Sequence, residues 1–207
     1  MPAVPAGEYT LIWRQSEHYS EDTILSPIDI QPDTLNTIEV STAFNPVPAD
    51  WMQKKVYYWE LRETSPNTDG KMVARFDKDF SPQLVPAGKY HLLYRLSEHG
   101  STDSFLGEIE LTAGTMNEFV INTGAAFILP KGMAPPYFIE FISLDSSGKE
   151  GRVTRLNGKY LKGNFGPIAL APGTYKINDR QQEHGSSTIT IVESFDLPAG
   201  NLVELEL

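Results

Sequence analysis

The chain has 207 residues, a net charge of −10 and no cysteine, with 40% of its residues hydrophobic and 21% charged. That composition fits a core-forming chain of one or two domains, excludes disulfides and thiolate metal sites, and argues against nucleic acid, whose phosphates require a basic face. No apolar stretch approaches the roughly 20 residues of a membrane span, and the N-terminus lacks the basic start and apolar run of a signal peptide.

Taken in order, Pro5-Ala6-Gly7 reads as a tight turn, and Glu8–Trp13, aromatic and β-branched, as a strand with Tyr9, Leu11 and Trp13 on one face. Ser16–Asp22 is a polar loop, and strands are predicted over Ile24–Ile30 and Asn36–Val40. Val56–Leu61 is the next strand, turning through Ser65–Gly70 into a partner at Lys71–Phe76. Pro86-Ala87-Gly88 then repeats the opening turn, followed by strands from Tyr90, over Phe105–Leu111 and over Glu118–Ile121. On the first, Tyr90, Leu92 and Tyr94 are expected to be more buried than His91, Leu93 and Arg95, since one face of a sandwich sheet meets the core. Further on, Tyr137–Leu144 leads through Asp145–Gly148 into Arg152–Leu156, and Asn157-Gly158 predicts a hairpin to Lys159–Lys162. A third copy of the turn ends at Gly173, ahead of strands at Tyr175, Thr188–Val192 and Leu202–Leu205; here Asp179 stands where Trp13 and Tyr94 stand, and it is expected to be at least partly exposed. No sustained helical period occurs.

Three of these strands carry one pattern, Gly-x-Tyr-x4-Arg-x2-Glu-His, beginning at Gly7, Gly88 and Gly173. Repetition with a period near 80 residues sets the architecture. Short strands, frequent turns and no helix predict an all-β chain of tandem antiparallel β-sandwich repeats in an elongated array. The expected units are 1–40, the C-terminal half of a truncated unit, then 41–121 and 122–207. A phase pairing 1–40 with 41–84 fits the sequence equally well. Acidity is concentrated at the start, where residues 1–40 hold seven acids and one base.

The recurring polar cluster is the main candidate site: Arg14, Glu17 and His18; Arg95, Glu98 and His99; Arg180, Glu183 and His184. Glu and His both ligate metals and move protons, but one Glu-His pair supplies two ligands where a structural zinc site takes four. The favoured reading is a loop clasp, with Glu98 accepting backbone N–H groups. The alternatives are a repeated recognition surface and a metal site. Tyr57, Tyr58 and Trp59 suggest a sugar-stacking platform, although alternation directs at least one of them inward. Asp145–Gly148 resembles a calcium loop only loosely and reads as a turn. No G-x-S-x-G, H-E-x-x-H or G-x-x-x-x-G-K motif is present, so no catalytic residue and no cofactor are expected.

Pro86-Ala87-Gly88-Lys89-Tyr90, the strand Gly107–Leu111 and the turn Ala113-Gly114 with Glu118 resemble bacterial prealbumin-like modules, related to the carboxypeptidase regulatory-like sandwich. Tyr94-Arg95 with Glu98-His99-Gly100-Ser101 resembles repeats that follow von Willebrand factor A domains in exported bacterial proteins. The resemblance implies a non-enzymatic, extracytoplasmic region serving as spacer, adhesion or protein-interaction module of a larger protein. Its export signal would lie upstream, and its partner would be a protein or cell surface. The alternative is a carbohydrate- or divalent-cation-binding module, calcium included.

Overall fold

The computed structural model describes residues 4–14, 22–38, 40–52, 56–64, 70–77, 80–129, 136–158, 166–181 and 187–206. The chain is all-β, and among the described residues the strands form small open sheets with no closed barrel. Strands β1 (Gly7–Trp13) and β2 (Thr23–Ile30) form an antiparallel hairpin. Seven strands follow: β3 (Ala43–Pro48), β4 (Tyr58–Glu63), β5 (Met72–Asp77), β6 (Gln83–Leu84), β7 (Gly88–Arg95), β8 (Asp103–Leu111) and β9 (Met116–Ile121). They make one sheet in the order β5-β4-β7-β8 and another in the order β6-β3-β9. The same arrangement recurs in β10 (Gly124–Ile128), β11 (Phe138–Leu144), β12 (Glu150–Asn157), β13 (Ile168–Ala169), β14 (Gly173–Arg180), β15 (Ile189–Leu197) and β16 (Leu202–Glu206). Here the orders are β12-β11-β14-β15 and β13-β10-β16. Among the described residues no helix is long and apolar enough to cross a membrane.

Among the described residues all ladders are antiparallel except two, β3 with β9 and β10 with β16. Parallel neighbours need a long crossover, and here the intervening strands supply it. Since these are the first and last strands of each set, the chain enters at one end and leaves at the other. Consecutive sets are thereby strung head to tail.

The three Gly-x-Tyr strands are β1, β7 and β14. On β7, Tyr90, Leu92 and Tyr94 face inward and are buried, with Trp59 and Leu61 of β4 opposite. Tyr175 and Ile177 of β14 are buried likewise, Ile177 opposite Phe141 of β11. These residues join Phe44 and Leu156 in one continuous core.

Three expectations from face alternation need correction. His91 and Leu93 were expected on the open face of β7, yet they are 4% and 3% exposed. Strand β12 packs on that face, and its Arg152 guanidinium lies 4.1 Å over the Phe105 ring, within 3.3 Å of His91. On β1, Tyr9 and Leu11 are only half-buried and Trp13 is 38% exposed, because among the described residues no second sheet covers the hairpin. Asp179 was expected at least partly exposed but is buried. It holds the position of Tyr94, facing Ile139 on β11 as Tyr94 faces Trp59 on β4. The ladder to β15 shifts register twice just before it, as a bulge would.

Candidate functional site

The repeated turn builds the same corner three times. The Tyr9 hydroxyl donates to the Pro5 carbonyl at 2.9 Å, Tyr90 to Pro86 at 3.2 Å and Tyr175 to Ala171 at 2.7 Å. Each bond reaches back four residues, as in the tyrosine corner of immunoglobulin-like sandwiches. The tyrosine ring then lies over the backbone of the turn glycine. At Gly88, with φ of 153°, a Cβ would sit 3.0 Å from the Tyr90 hydroxyl, which explains a glycine two residues before the tyrosine.

A clasp does close the loop after β7, but serines form it. Ser101 Oγ accepts the N–H groups of Leu96 and Ser97, both at 3.1 Å, and Ser97 Oγ accepts that of Gly100 at 3.1 Å. Arg95 Nε donates to the Ser101 carbonyl at 2.9 Å. The side chains of Glu98 and His99 are 58% and 66% exposed at the loop tip, 3.9 Å from each other. Glu98 therefore does not take the expected clasp role. A carboxylate is not needed where two hydroxyls already satisfy the turn. The recurring signal was available, since a serine follows each histidine by two residues, at Ser20, Ser101 and Ser186. In the first copy Arg14 pairs with Asp22 at 2.6 Å, and Glu17 and His18 lie outside the described residues. In the third, Arg180 is half-buried, its Nε without a hydrogen-bond partner among the described residues, and Glu183 and His184 lie outside them. Among the described residues no group of three or more His, Asp or Glu side chains is placed to hold a metal.

The aromatic platform is not available to a sugar. Tyr58 and Trp59 are 5% and 1% exposed, with Trp59 packed on Tyr94 and Phe80. At Asp145, Oδ1 accepts the N–H groups of Ser147 and Lys149 at 2.8 and 3.0 Å, and these bonds with the Ser147 hydroxyl hold its carboxyl below the usual range. It is a turn, as expected.

Two repeated features escaped the sequence reading. The first is a cross-strand ion pair. Glu60 on β4 is fully buried; its Oε2 accepts from Nε and Nη2 of Arg75 on β5 at 2.9 and 2.6 Å, and its Oε1 from Nε of Arg62. Arg75 in turn lies 4.4 Å over the Tyr58 ring. Fifteen residues again separate Glu140 on β11 from Arg155 on β12, paired at 2.5 and 2.7 Å, and Arg155 lies 5.0 Å from the Phe138 ring. The recurring segments Tyr58–Leu61 and Phe138–Phe141, each followed at a fixed distance by Arg, carried that signal.

The second feature is the junction between the two sets of sheets. The serine-clasped loop lays its backbone along β12: Asn157 donates to the Gly100 carbonyl at 2.8 Å, Thr102 to the Arg155 carbonyl at 2.9 Å, and the Arg155 N–H to Thr102 Oγ1 at 2.8 Å. Deeper in, the Tyr94 hydroxyl accepts the Ala169 N–H at 2.7 Å, and the Ala171 N–H donates to the Phe105 carbonyl at 3.0 Å. At the rim, His91 stands 3.3 Å from both Glu108 and Arg152. A cavity of about 350 Å³ beside the junction is lined mainly by apolar residues, among them Leu106, Phe119, Ile121 and Leu170.

The buried tyrosines make stability sensitive to alkali. Burial, then the neighbouring Asp103 carboxylate, pushes Tyr58 up to about 12, and burial pushes Tyr175 up to about 12, from an ordinary value of 10.0. Burial raises Tyr90 and Tyr94 as well. Above pH 10 the unfolded chain loses protons that the folded chain keeps. Stability is therefore flat below about pH 10 and falls from there to about pH 12, with a slope of up to about 1.4 kcal/mol per pH unit for each tyrosine. Urea midpoints should stay level through mildly alkaline pH and drop once the first tyrosines ionise. A decline beginning near neutrality would contradict this.

No protein-family model and no curated protein matches the chain. Among solved structures it is similar to the Bacillus anthracis TIE protein, at 13% identity and a TM-score of 0.28, over 99% of this chain and 42% of that one. It is also similar to a leucine-rich repeat protein from Bacteroides thetaiotaomicron VPI-5482, at 16% identity and a TM-score of 0.23, over 80% and 25%. The chain thus spans less than half the length of either protein, and scores of this size do not define a common fold.

Proposed function

We propose that this chain is a non-enzymatic spacer region of a larger bacterial protein, built from a half repeat at 1–40 and two sandwich repeats at 41–121 and 122–207. In this reading it works outside the cytoplasm, holding adhesive or interacting parts of the protein at a fixed separation. The observation that carries the reading is the junction. Backbone bonds from 100–102 to β12, and the buried bond from Ala169 to Tyr94, resist swivelling far better than a bare linker does. Entry and exit at opposite ends of each repeat suit the same role. The prealbumin-like resemblance supports a structural or adhesive use over an enzymatic one.

Small-angle scattering tests it. A compact 207-residue chain has a radius of gyration of about 17 Å. A rigid spacer gives a clearly larger value that stays constant from low to high salt. A compact envelope overturns the reading. A saturable rise in melting temperature with calcium or zinc, lost in both Glu98→Gln and His99→Ala, would replace it with a cation-binding module.

A further inference from the structure

The cavity beside the junction is built by both complete sets of sheets. The first set contributes its edge strands β8 and β9; the second contributes Leu170 and Pro172, ahead of β14, and Ala199, in the turn before β16. The floor is apolar and closed: Leu106, Ile121 and Leu170 are 5%, 2% and 3% exposed. A bulge in β8 shapes it. The ladder to β7 passes from Phe105 straight to Gly107, so Leu106 takes no partner there and turns inward. Gly107 follows at φ of 138°, and a Cβ on it would meet no atom within 4 Å. The wall is thereby left without a side chain. The rim differs from the floor. Val120 and Ala199 are exposed, and so is the Glu108 side chain, at 72%. Glu108 is the charged residue of the lining, with no Lys or Arg in it among the described residues. Its Oε1 stands 3.3 Å from His91 Nε2, and Arg152 donates to the other ring nitrogen, so the imidazole separates the guanidinium from the carboxylate.

We propose that this cavity binds a small amphipathic amine, with its apolar body between the two sets of sheets and its ammonium group at Glu108. Volume sets the size of the body. At about 350 Å³ the cavity exceeds the roughly 150 Å³ that holds a benzene ring, and it falls at the low end of ligand pockets. One aromatic ring with a short alkyl chain fits it. Charge sets the head group. A carboxylate at the mouth, in a chain of net charge −10, attracts a cation and repels an anion. Because the lining comes from both sets, a bound amine bridges the junction and stabilises the docked arrangement by mass action. The proposal stands apart from the spacer reading, which scattering tests without any ligand.

The probes are phenylbutylamine, the uncharged phenylbutanol and the anion phenylbutanoate, titrated by calorimetry into the whole chain. The amine is expected to bind saturably with a Kd of about 0.1 mM, about threefold to fivefold tighter than the alcohol, with the anion weakest. Added salt narrows that gap. Hydrogen-exchange protection is gained at residues 106–108 and 119–123, and the melting temperature rises with amine concentration. Glu108→Gln equalises amine and alcohol while leaving the affinity for the alcohol unchanged. Ala199→Phe, at an exposed turn position, plugs the mouth and removes binding of all three, with the melting temperature of the free chain retained. Absence of saturable binding by the amine, or equal affinity for all three probes, overturns the proposal. So does an amine preference that survives Glu108→Gln, or binding that survives Ala199→Phe, which would place the ligand on another apolar surface.

Discussion

Glu60→Ala is expected to lower the unfolding free energy by about 3 kcal/mol, the lower end of the range for removing one member of a buried ion pair. The carboxylate is fully buried and satisfied by two arginines, whose side chains are 29% and 31% exposed. Removing it leaves two cations crowded on one face of β4 and β5 with the Tyr58 ring beneath one of them. Their partial exposure lets them rehydrate, which limits the loss. Glu60→Gln preserves shape and some hydrogen bonding and should cost less. The homologous pair offers an internal control. Glu140 and Arg155 side chains are 14% and 42% exposed, so Glu140→Ala should cost about 1 kcal/mol, near the value of a surface pair. Urea unfolding of the three variants decides the matter, and equal losses at Glu60 and Glu140 would show that burial does not set the energetics.

Tyr94→Ala should cost about 3–5 kcal/mol, as other large-to-small changes of buried aromatic residues do. Part of that loss is cavity formation beside Trp59, whose ring centroid lies 5.4 Å from that of Tyr94. The rest belongs to the junction, because the Tyr94 hydroxyl is the acceptor for the Ala169 N–H. Tyr94→Phe isolates this second part. It keeps the ring and strands a buried donor, at about 1–3 kcal/mol. The effect should appear as lost coupling: one calorimetric transition in the parent chain, and two partly separated ones in Tyr94→Phe. A single sharp transition that merely moves down would assign the hydroxyl to local packing alone.

That tyrosine also explains why its position varies among the three copies. Trp13, Tyr94 and Asp179 occupy one place in the repeat, yet among the described residues only Tyr94 bonds the neighbouring set of sheets. Trp13 is 38% exposed. Asp179 Oδ1 has no hydrogen-bond partner among the described residues, while its other oxygen accepts from Gln181. No local pattern distinguishes these three environments, because each depends on what lies across the strand rather than along it. The same limit produced the error over His91 and Leu93. Alternation correctly placed them opposite Tyr90 and Leu92. It carried no information on whether that opposite face meets solvent or, as here, Arg152.

Within the candidate cluster, the repeated spacing located the right loop and assigned it the wrong residues. Charge drew the reading to Glu98 and His99, while the loop is closed by Ser97, Ser101 and Arg95. Hydroxyls are short, and here their bonds span at most five residues. The more conspicuous charged pair is left at the tip, in water.

By itself the sequence determined what local rules control: the all-β class, the alternation of side chains along the strands and the turn glycines. These follow from backbone sterics and the two-residue period of a strand, which act between near neighbours. Only the tertiary structure decided the parallel pairing of first and last strands, the Glu60 and Glu140 ion pairs and the docking of loop 100–102 on β12. Each of these joins groups far apart in the chain. The free energy involved comes from desolvation and from satisfying buried donors. Neither is a property of a residue until its neighbours in space are fixed.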